Sequence, residues 1–394
     1  MRRTLLSAAA VALLFVTACG GQSPAQSSGD TSPIQLGAWM PLTGSIAVHG
    51  LAQRAGGAAY FKFLNDHGGV HGRKVVWNVE DNAYDPQKTV AAAHKLIDQE
   101  NSIAIVGANG TANTAAAFSY VLDQAQVPII DTYGGDSTWY SPPKPLLFGI
   151  QTLYEDQMRV LAKWALKDSY KNIAIVHSDP AAFANIAKAG SDQIKSTSPS
   201  TNVMDVAVKF NTTDYAPVVL QVRNLHPDAV IMILSTAEVV AYLKQAAQQG
   251  LKTGIYTYAP NSSADVIRLA GADADGLKSE AFTLPPDDTS AAGVKDFVNA
   301  MQKYEAGTPA DYESEMTWAL CKVAVAAISK ISGKIDKESI VKALQSMSNY
   351  DSGVMPPITF SASQHLGASK IQRVQLTGGK WTLVGSYVGA DSNL

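Results

Sequence analysis

Apolar and polar positions in this chain follow two alternating rhythms. Short apolar runs at 34–40, 74–79, 103–106 and 127–130 are each too brief for a helix. Between them lie longer stretches, 50–66, 85–99 and 115–126, with apolar residues at helical spacing. The runs predict buried strands and the stretches predict amphipathic helices. Strand, helix, strand in this order implies a parallel sheet with right-handed crossovers. The rhythm restarts near 151. It predicts helices at 156–166, 181–196, 215–225 and 237–249, the last stopped by Gly250. Strands are predicted at 173–177, 203–208, 229–234 and 255–258. The last third departs from the alternation. Long helices are expected at 289–305, 313–332 and 337–347. Short strands follow at 358–360, 371–376 and 381–387, with Gly378-Gly379 turning a hairpin. The fold class is α/β, with two parallel-rich sheets flanked by helices.

The stretch 103–114, IAIVGANGTANT, stands out within this pattern. An apolar strand breaks at Gly107, and a hydroxyl-rich helix start follows. Ligands of open α/β sheets sit at this carboxyl edge of the strands, and free N–H groups at a helix start attract anions.

The N-terminus reads differently. Arg2 and Arg3 precede an apolar run at 5–16, too short to span a bilayer, and 1–18 is expected to be an export signal. The segment Val16-Thr17-Ala18-Cys19-Gly20 resembles the lipobox of bacterial lipoproteins. That resemblance implies cleavage before Cys19 and lipidation of Cys19. An ordinary signal peptide with a chance cysteine is the alternative. Residues 20–33 are rich in Gly, Ser, Pro and Gln and read as a flexible tether.

Composition adds limits. The 394 residues are 46% hydrophobic and 16% charged, suited to two globular domains. The formal net charge is −3, and loss of Arg2 and Arg3 takes it to −5. A nucleic-acid partner is not expected, since it would call for a basic face. The second cysteine, Cys321, lies in a helical apolar stretch and reads as a small core residue. With Cys19 lipidated, no internal disulfide forms.

Several motifs then occur in order: Gly37 to Gly44 (GAWMPLTG) with Gly50, Leu64 to Lys74 (LNDHGGVHGRK), and Glu80 to Pro86 (EDNAYDP). Val127-Pro128-Ile129-Ile130, Asp214-Tyr215, His226-Pro227-Asp228-Ala229-Val230 and Gln248 to Lys252 follow. Over about 34–390 the chain resembles the branched-chain amino-acid binding proteins of ABC importers, the type I periplasmic binding proteins. The resemblance implies two α/β lobes, three hinge crossings and a ligand shut between the lobes. It implies lobe 1 at 34–150 plus 282–356 and lobe 2 at 151–281 plus 357–394. It also implies an exported monomer, held to the outer face of the cell membrane by lipidated Cys19, that delivers a small-molecule ligand to an ABC permease. No cofactor, metal or catalysis is expected.

The resemblance also points to ligand residues. Thr111, Asn113 and Thr114 share the role of holding a carboxylate. The Ser-Pro-x-x-Thr of the next family loop is Asp131-Thr132-Tyr133-Gly134-Gly135 here, leaving Tyr133 and the Gly134 region as contacts. His49 takes the place of a family aromatic. Trp39 either lines the cleft or plugs the first lobe. Phe183 replaces a tyrosine, Ser235 another aromatic. Ala259 lies in the stretch Thr257 to Asn261, where amino-acid binders place an acid for the ligand ammonium. With no acid there, an anionic, amide-like or aromatic ligand is expected, unless Asp131, Asp136 or Glu238 supplies a relocated one. The motif glycines and Asp85-Pro86 are read as structural.

Two other classes compete. An enzyme is disfavoured, because G-x-S-x-G, P-loop and H-E-x-x-H motifs are missing and the seven histidines are scattered. A sensor built on the same fold is not separated from a transporter by sequence.

Overall fold

The computed structural model describes residues 30–44 and 46–394. The expected export signal, Cys19 and the tether up to residue 29 lie outside the described residues.

The first sheet is built from β1 (Ile34–Met40), β2 (Val75–Asp81), β3 (Ile105–Ala108), β4 (Ile129–Ile130) and β5 (Leu147–Phe148). Its order is β2-β1-β3-β4-β5 and every pairing is parallel. The helices α1 (Ala47–Asp66), α2 (Pro86–His94) and α3 (Thr111–Phe118) are its crossovers. Asp85 caps α2 by accepting from the Lys88 N–H, with Pro86 in the first turn, as the sequence implies.

The second sheet begins after α4 (Tyr154–Lys167). It contains β6 (Asn172–Ser178), β7 (Asn202–Val208), β8 (Ala229–Ile233), β9 (Gly254–Thr257) and β10 (Lys278–Ala281), all parallel. Between them run α5 (Ala181–Thr197), α6 (Ala216–Asn224), α7 (Thr236–Gln248) and α8 (Ala264–Ala270). The chain then returns to the first sheet with α9 (Ala292–Tyr304), α10 (Tyr312–Ile328) and α11 (Lys337–Gln345). Phe297, Trp318, Leu320 and Ile340 join Leu36, Val106 and Ile130 in one buried cluster. α10 is apolar on nearly every face and is buried accordingly. Last, β11 (Lys370–Thr377), β12 (Lys380–Leu383) and β13 (Val388–Gly389) complete the second sheet; β11 runs antiparallel to β10, and β12 and β13 each pair antiparallel with β11. Gly378 and Gly379 turn the β11–β12 hairpin at φ 57° and 76°.

Several expectations need correction. Residues 358–360 form no strand. Ile358 and Phe360 pack into the first-sheet cluster, and Leu366 pairs with Gly149. The chain therefore rejoins the second sheet at Lys370, not at 357. The third strand runs on through Gly107 to Ala108, because Gly107 takes φ 87° without a steric penalty. α3 begins at Thr111, four residues before the expected helix, because Gly110 at φ 100° ends the loop. The elements β5, α8 and β10 were too short or too polar to show as periodic runs.

Three connections join the lobes: β5 to α4, β10 to α9, and the entry into β11. They are tied together. Thr152 Oγ1 donates to the Lys370 carbonyl at 3.0 Å, and the Leu284 N–H donates to the Val354 carbonyl at 2.8 Å.

Candidate ligand-binding cleft

Each sheet reverses its winding once, between β1 and β3 in the first and between β6 and β8 in the second. Connections leave such a point in opposite directions, which opens a crevice at the strand ends. The two crevices face each other. Residues following β1, β3, β6 and β8 line one cavity of about 130 Å³ between the lobes.

The walls are rich in rings. Tyr84, Tyr133, Tyr154, Phe183, Phe210 and Tyr258 all line the cavity. Phe183 and Phe210 lie 5.9 Å apart between ring centres at 33°, and Tyr154 and Tyr258 5.9 Å apart at 59°. Burial pushes the Tyr154 hydroxyl up to about 12 and those of Tyr133 and Tyr258 well above their ordinary value. They are neutral hydrogen-bonding groups at physiological pH.

A polar chain crosses the floor. Asn109 Nδ2 donates to Gln53 Oε1 at 2.7 Å, and Gln53 Nε2 donates to Glu313 Oε2 at 2.8 Å. Glu313 Oε1 lies 3.1 Å from His49 Nδ1. His49 Nε2 reaches Thr236 Oγ1 in the second lobe at 3.0 Å. Thr236 in turn donates to Asn261 Oδ1 at 2.8 Å.

Of the residues expected from sequence, His49, Thr111, Tyr133, Phe183, Ser235 and Ala259 line the cavity. Tyr133 is anchored from behind by its hydroxyl, 2.5 Å from Thr317 Oγ1. Gly134 sits behind the wall, where a Cβ would meet the Trp139 ring at 2.6 Å. Asn113 and Thr114 are buried in α3 and do not line the cavity. Thr114 Oγ1 accepts from Trp39 Nε1 at 3.2 Å. Trp39 is wholly buried in the first-lobe core, so it is a plug.

The model of one family, described as Periplasmic binding protein, matches residues 33–380. A "Leu/Ile/Val-binding protein homolog 7" of Brucella suis biovar 1 is 26% identical over 357 residues, covering 86% of each chain. The chain belongs to the periplasmic binding protein family. Solved structures share its two-lobe type I fold. One is a branched chain amino acid ABC transporter from Thermus thermophilus with bound valine, at TM-score 0.79 and 18% identity, covering 91% of this chain and 96% of that one. Another is a fatty acid ABC transporter substrate-binding protein from Thermomonospora curvata, at TM-score 0.82 and 19% identity, covering 91% and 93%. Those two names pair one fold with unlike ligands, so specificity in a binding protein rests on the cleft residues.

The acid that lines the cleft of this family member is Glu313, which sequence reasoning passed over. It is the second residue of α10, in the first turn that Asp311 caps, and reads there as an ordinary helix-start acid. None of the proposed substitutes takes its place. Asp131 is buried in the first lobe without a hydrogen-bond partner, and burial raises its carboxyl well above the ordinary range. Asp136 accepts from the Thr138 N–H. Glu238 accepts from the Ser235 N–H, closing a capping box with it. Tyr84 was also missed, since its motif reads as a helix start. It holds φ 56°, following Ala83 at φ 46°. Left-handed backbone at two successive non-glycine residues is a strained geometry that clusters at ligand clamps. Gln53 had one signal: it lies four residues after His49, on the same helix face.

Among the described lining residues there is no lysine or arginine, and Glu313 is the single carboxylate. The described residues contain no group of acidic, histidine and cysteine side chains placed to hold a metal ion.

Proposed function

We propose that this chain is the extracytoplasmic solute-binding lipoprotein of an ABC importer of the branched-chain amino-acid type, capturing a small amino-acid-like or amide-bearing molecule. The observation that carries the ligand class is the make-up of the cleft. Eight aromatic rings of tyrosine and phenylalanine surround a space that holds one carboxylate, Glu313, and the start of α3 at Thr111. A donor-rich end and a carboxylate in one small cavity complement a carboxylate or carbonyl and an amino or amide group on one ligand. No lysine or arginine lines the space to pair with a bare anion. The size is close to the roughly 150 Å³ that accommodates a benzene ring in an engineered protein cavity. The family resemblance and the Leu/Ile/Val-binding relatives support an amino acid, with Glu313 supplying the relocated acid.

A thermal-shift screen over amino acids, their amides, short carboxylates and aromatic acids tests this. Amino acids or amides are expected to raise the Tm by mass action. Stabilisation by carboxylates lacking any amino or amide group, and by no other class, would overturn the ligand assignment. The anchor is tested separately. Cys19→Ala is expected to move the chain from the membrane fraction to the soluble fraction; an unchanged distribution would exclude lipidation at Cys19. Loss of uptake on deletion of a neighbouring permease separates transport from a sensing role.

A further inference from the structure

His49 belongs to the first lobe and touches the second. Its surroundings dictate where protons lie. The Thr257 hydroxyl donates to the Met232 carbonyl at 3.0 Å, so its oxygen accepts from Asn261 Nδ2 at 2.8 Å. Asn261 Nδ2 also donates to the Leu234 carbonyl at 3.1 Å. The amide is thereby oriented, and Asn261 Oδ1 faces Thr236. Thr236 spends its one proton on that oxygen. Its own oxygen is left to accept, so His49 Nε2 must carry a hydrogen. On the other side His49 Nδ1 faces Glu313 Oε1, while Gln53 donates to Glu313 Oε2. An ionised carboxylate only accepts, so a second proton lies in the Nδ1 contact. A neutral imidazole has a single N–H and satisfies one contact of the two.

We propose that His49 is a proton-operated latch between the lobes, and that closing the cleft takes up one proton on the His49–Glu313 pair. The balance is simple. In the open form a neutral imidazole donates from Nδ1 to Glu313, and Nε2 faces water. Closing brings Thr236 against Nε2, one proton enters from solvent, and it leaves again when the lobes part. Apart from that proton's own N–H or O–H bond, no covalent bond forms or breaks. The contact is well sheltered, with 14% of the His49 side chain and 12% of the Glu313 side chain exposed.

The charged groups facing His49 are all acidic: Glu313 and Asp311 from α10 and Asp265 from α8. Glu238 on α7 turns instead to Ser235 and Ser178. The neutral hydroxyls of Tyr84 and Tyr258 line the same cavity. Burial works against a charged His49, but the Glu313 hydrogen bond and these acids outweigh it and raise its proton affinity above the ordinary histidine range. A group whose affinity rises on closing favours the closed form at low pH and loses that effect as pH rises through the closed-state value. Capture of solute is thereby favoured on the more acidic side of the physiological range.

The inference rests on the closing of two lobes and needs no ligand, so its test is independent of the ligand assignment. Spin labels are placed on exposed Lys88→Cys in the first lobe and Lys244→Cys in the second, in the full chain, where Cys321 is buried. Inter-label distances are read by pulsed electron resonance from about pH 5.5 to about pH 8.5, spanning the ordinary histidine range. The closed-to-open ratio is expected to fall with pH, by up to about tenfold per unit. His49→Gln and Thr236→Val should each abolish the dependence, the second without touching the His49–Glu313 pair. A flat ratio in the labelled parent, or a parental slope in Thr236→Val, would overturn the latch. Should His49→Gln fail to fold, Thr236→Val decides alone.

Discussion

Trp39 Nε1 donates to Thr114 Oγ1 at 3.2 Å inside the first lobe, with both side chains fully buried. Two neighbouring threonines of one helix start are thus divided between two tasks. Thr111 faces the cavity and Thr114 faces the core.

Thr114→Val is expected to destabilise the protein and leave the cleft intact. It strands the buried Trp39 N–H, which costs about 1–3 kcal/mol. Thr111→Val should leave the Tm nearly unchanged and weaken solute binding. Chemical denaturation and calorimetric titration with the strongest solute from the screen separate the two. Equal loss of binding in both variants would refute the division.

Gly56→Ala is expected to damage the site from a distance. A Cβ there would fall 1.9 Å from the Ser314 carbonyl oxygen, so α1 and α10 must part. Overpacking of this kind costs about 1–3 kcal/mol. It also separates His49 and Gln53 on α1 from Glu313 on α10. Both Tm and solute affinity should drop, and a variant that loses neither would show that the helices can yield.

Asp81 ties the loop that leads into α1, and so to His49, to the turn that carries Tyr84. It accepts from the Leu42 and Thr43 N–H groups, the Thr43 hydroxyl and the Ala83 N–H. Burial raises its carboxyl, but these hydrogen bonds outweigh burial and hold it below the ordinary range. A depressed carboxyl contributes stability that is present above its unfolded value and lost as pH falls through the folded one. Asp81→Asn should therefore flatten the acid limb of stability against pH, read by urea denaturation across the acidic range. An unchanged acid limb would count against the network.

Glu313→Gln keeps an acceptor for Gln53 and removes the charge that holds the His49 proton. The His49 titration, followed by NMR of labelled histidine, is expected to move to lower pH. The stability sign is the reverse of that for Asp81. A raised histidine contributes fully below its unfolded value and loses the contribution as pH rises through the folded one. The variant should lack that loss on the alkaline side. An unmoved His49 titration would show that Glu313 is not its main partner.

Much of this architecture follows from local sequence. The alternating apolar runs specify strands and helices because a parallel sheet buried on both faces demands continuous apolar strands. Gly378-Gly379 and Asp85-Pro86 specify their turn and helix start by backbone conformation alone. The family motifs carry the two-lobe fold, and six of the nine expected ligand residues reach the cavity. What the tertiary structure alone decided is which groups meet. Glu313 reads as a helix-start acid and Tyr84 as part of a turn until α10 docks on α1 and the lobes face each other. His49 and Thr236 lie 187 positions apart, and nothing local announces their 3.0 Å contact. Helical periodicity gives a side chain's face, but not which neighbour will cover it. That separates Thr111 from Thr114, and it turns a cleft expected to lack an acid into one built around Glu313.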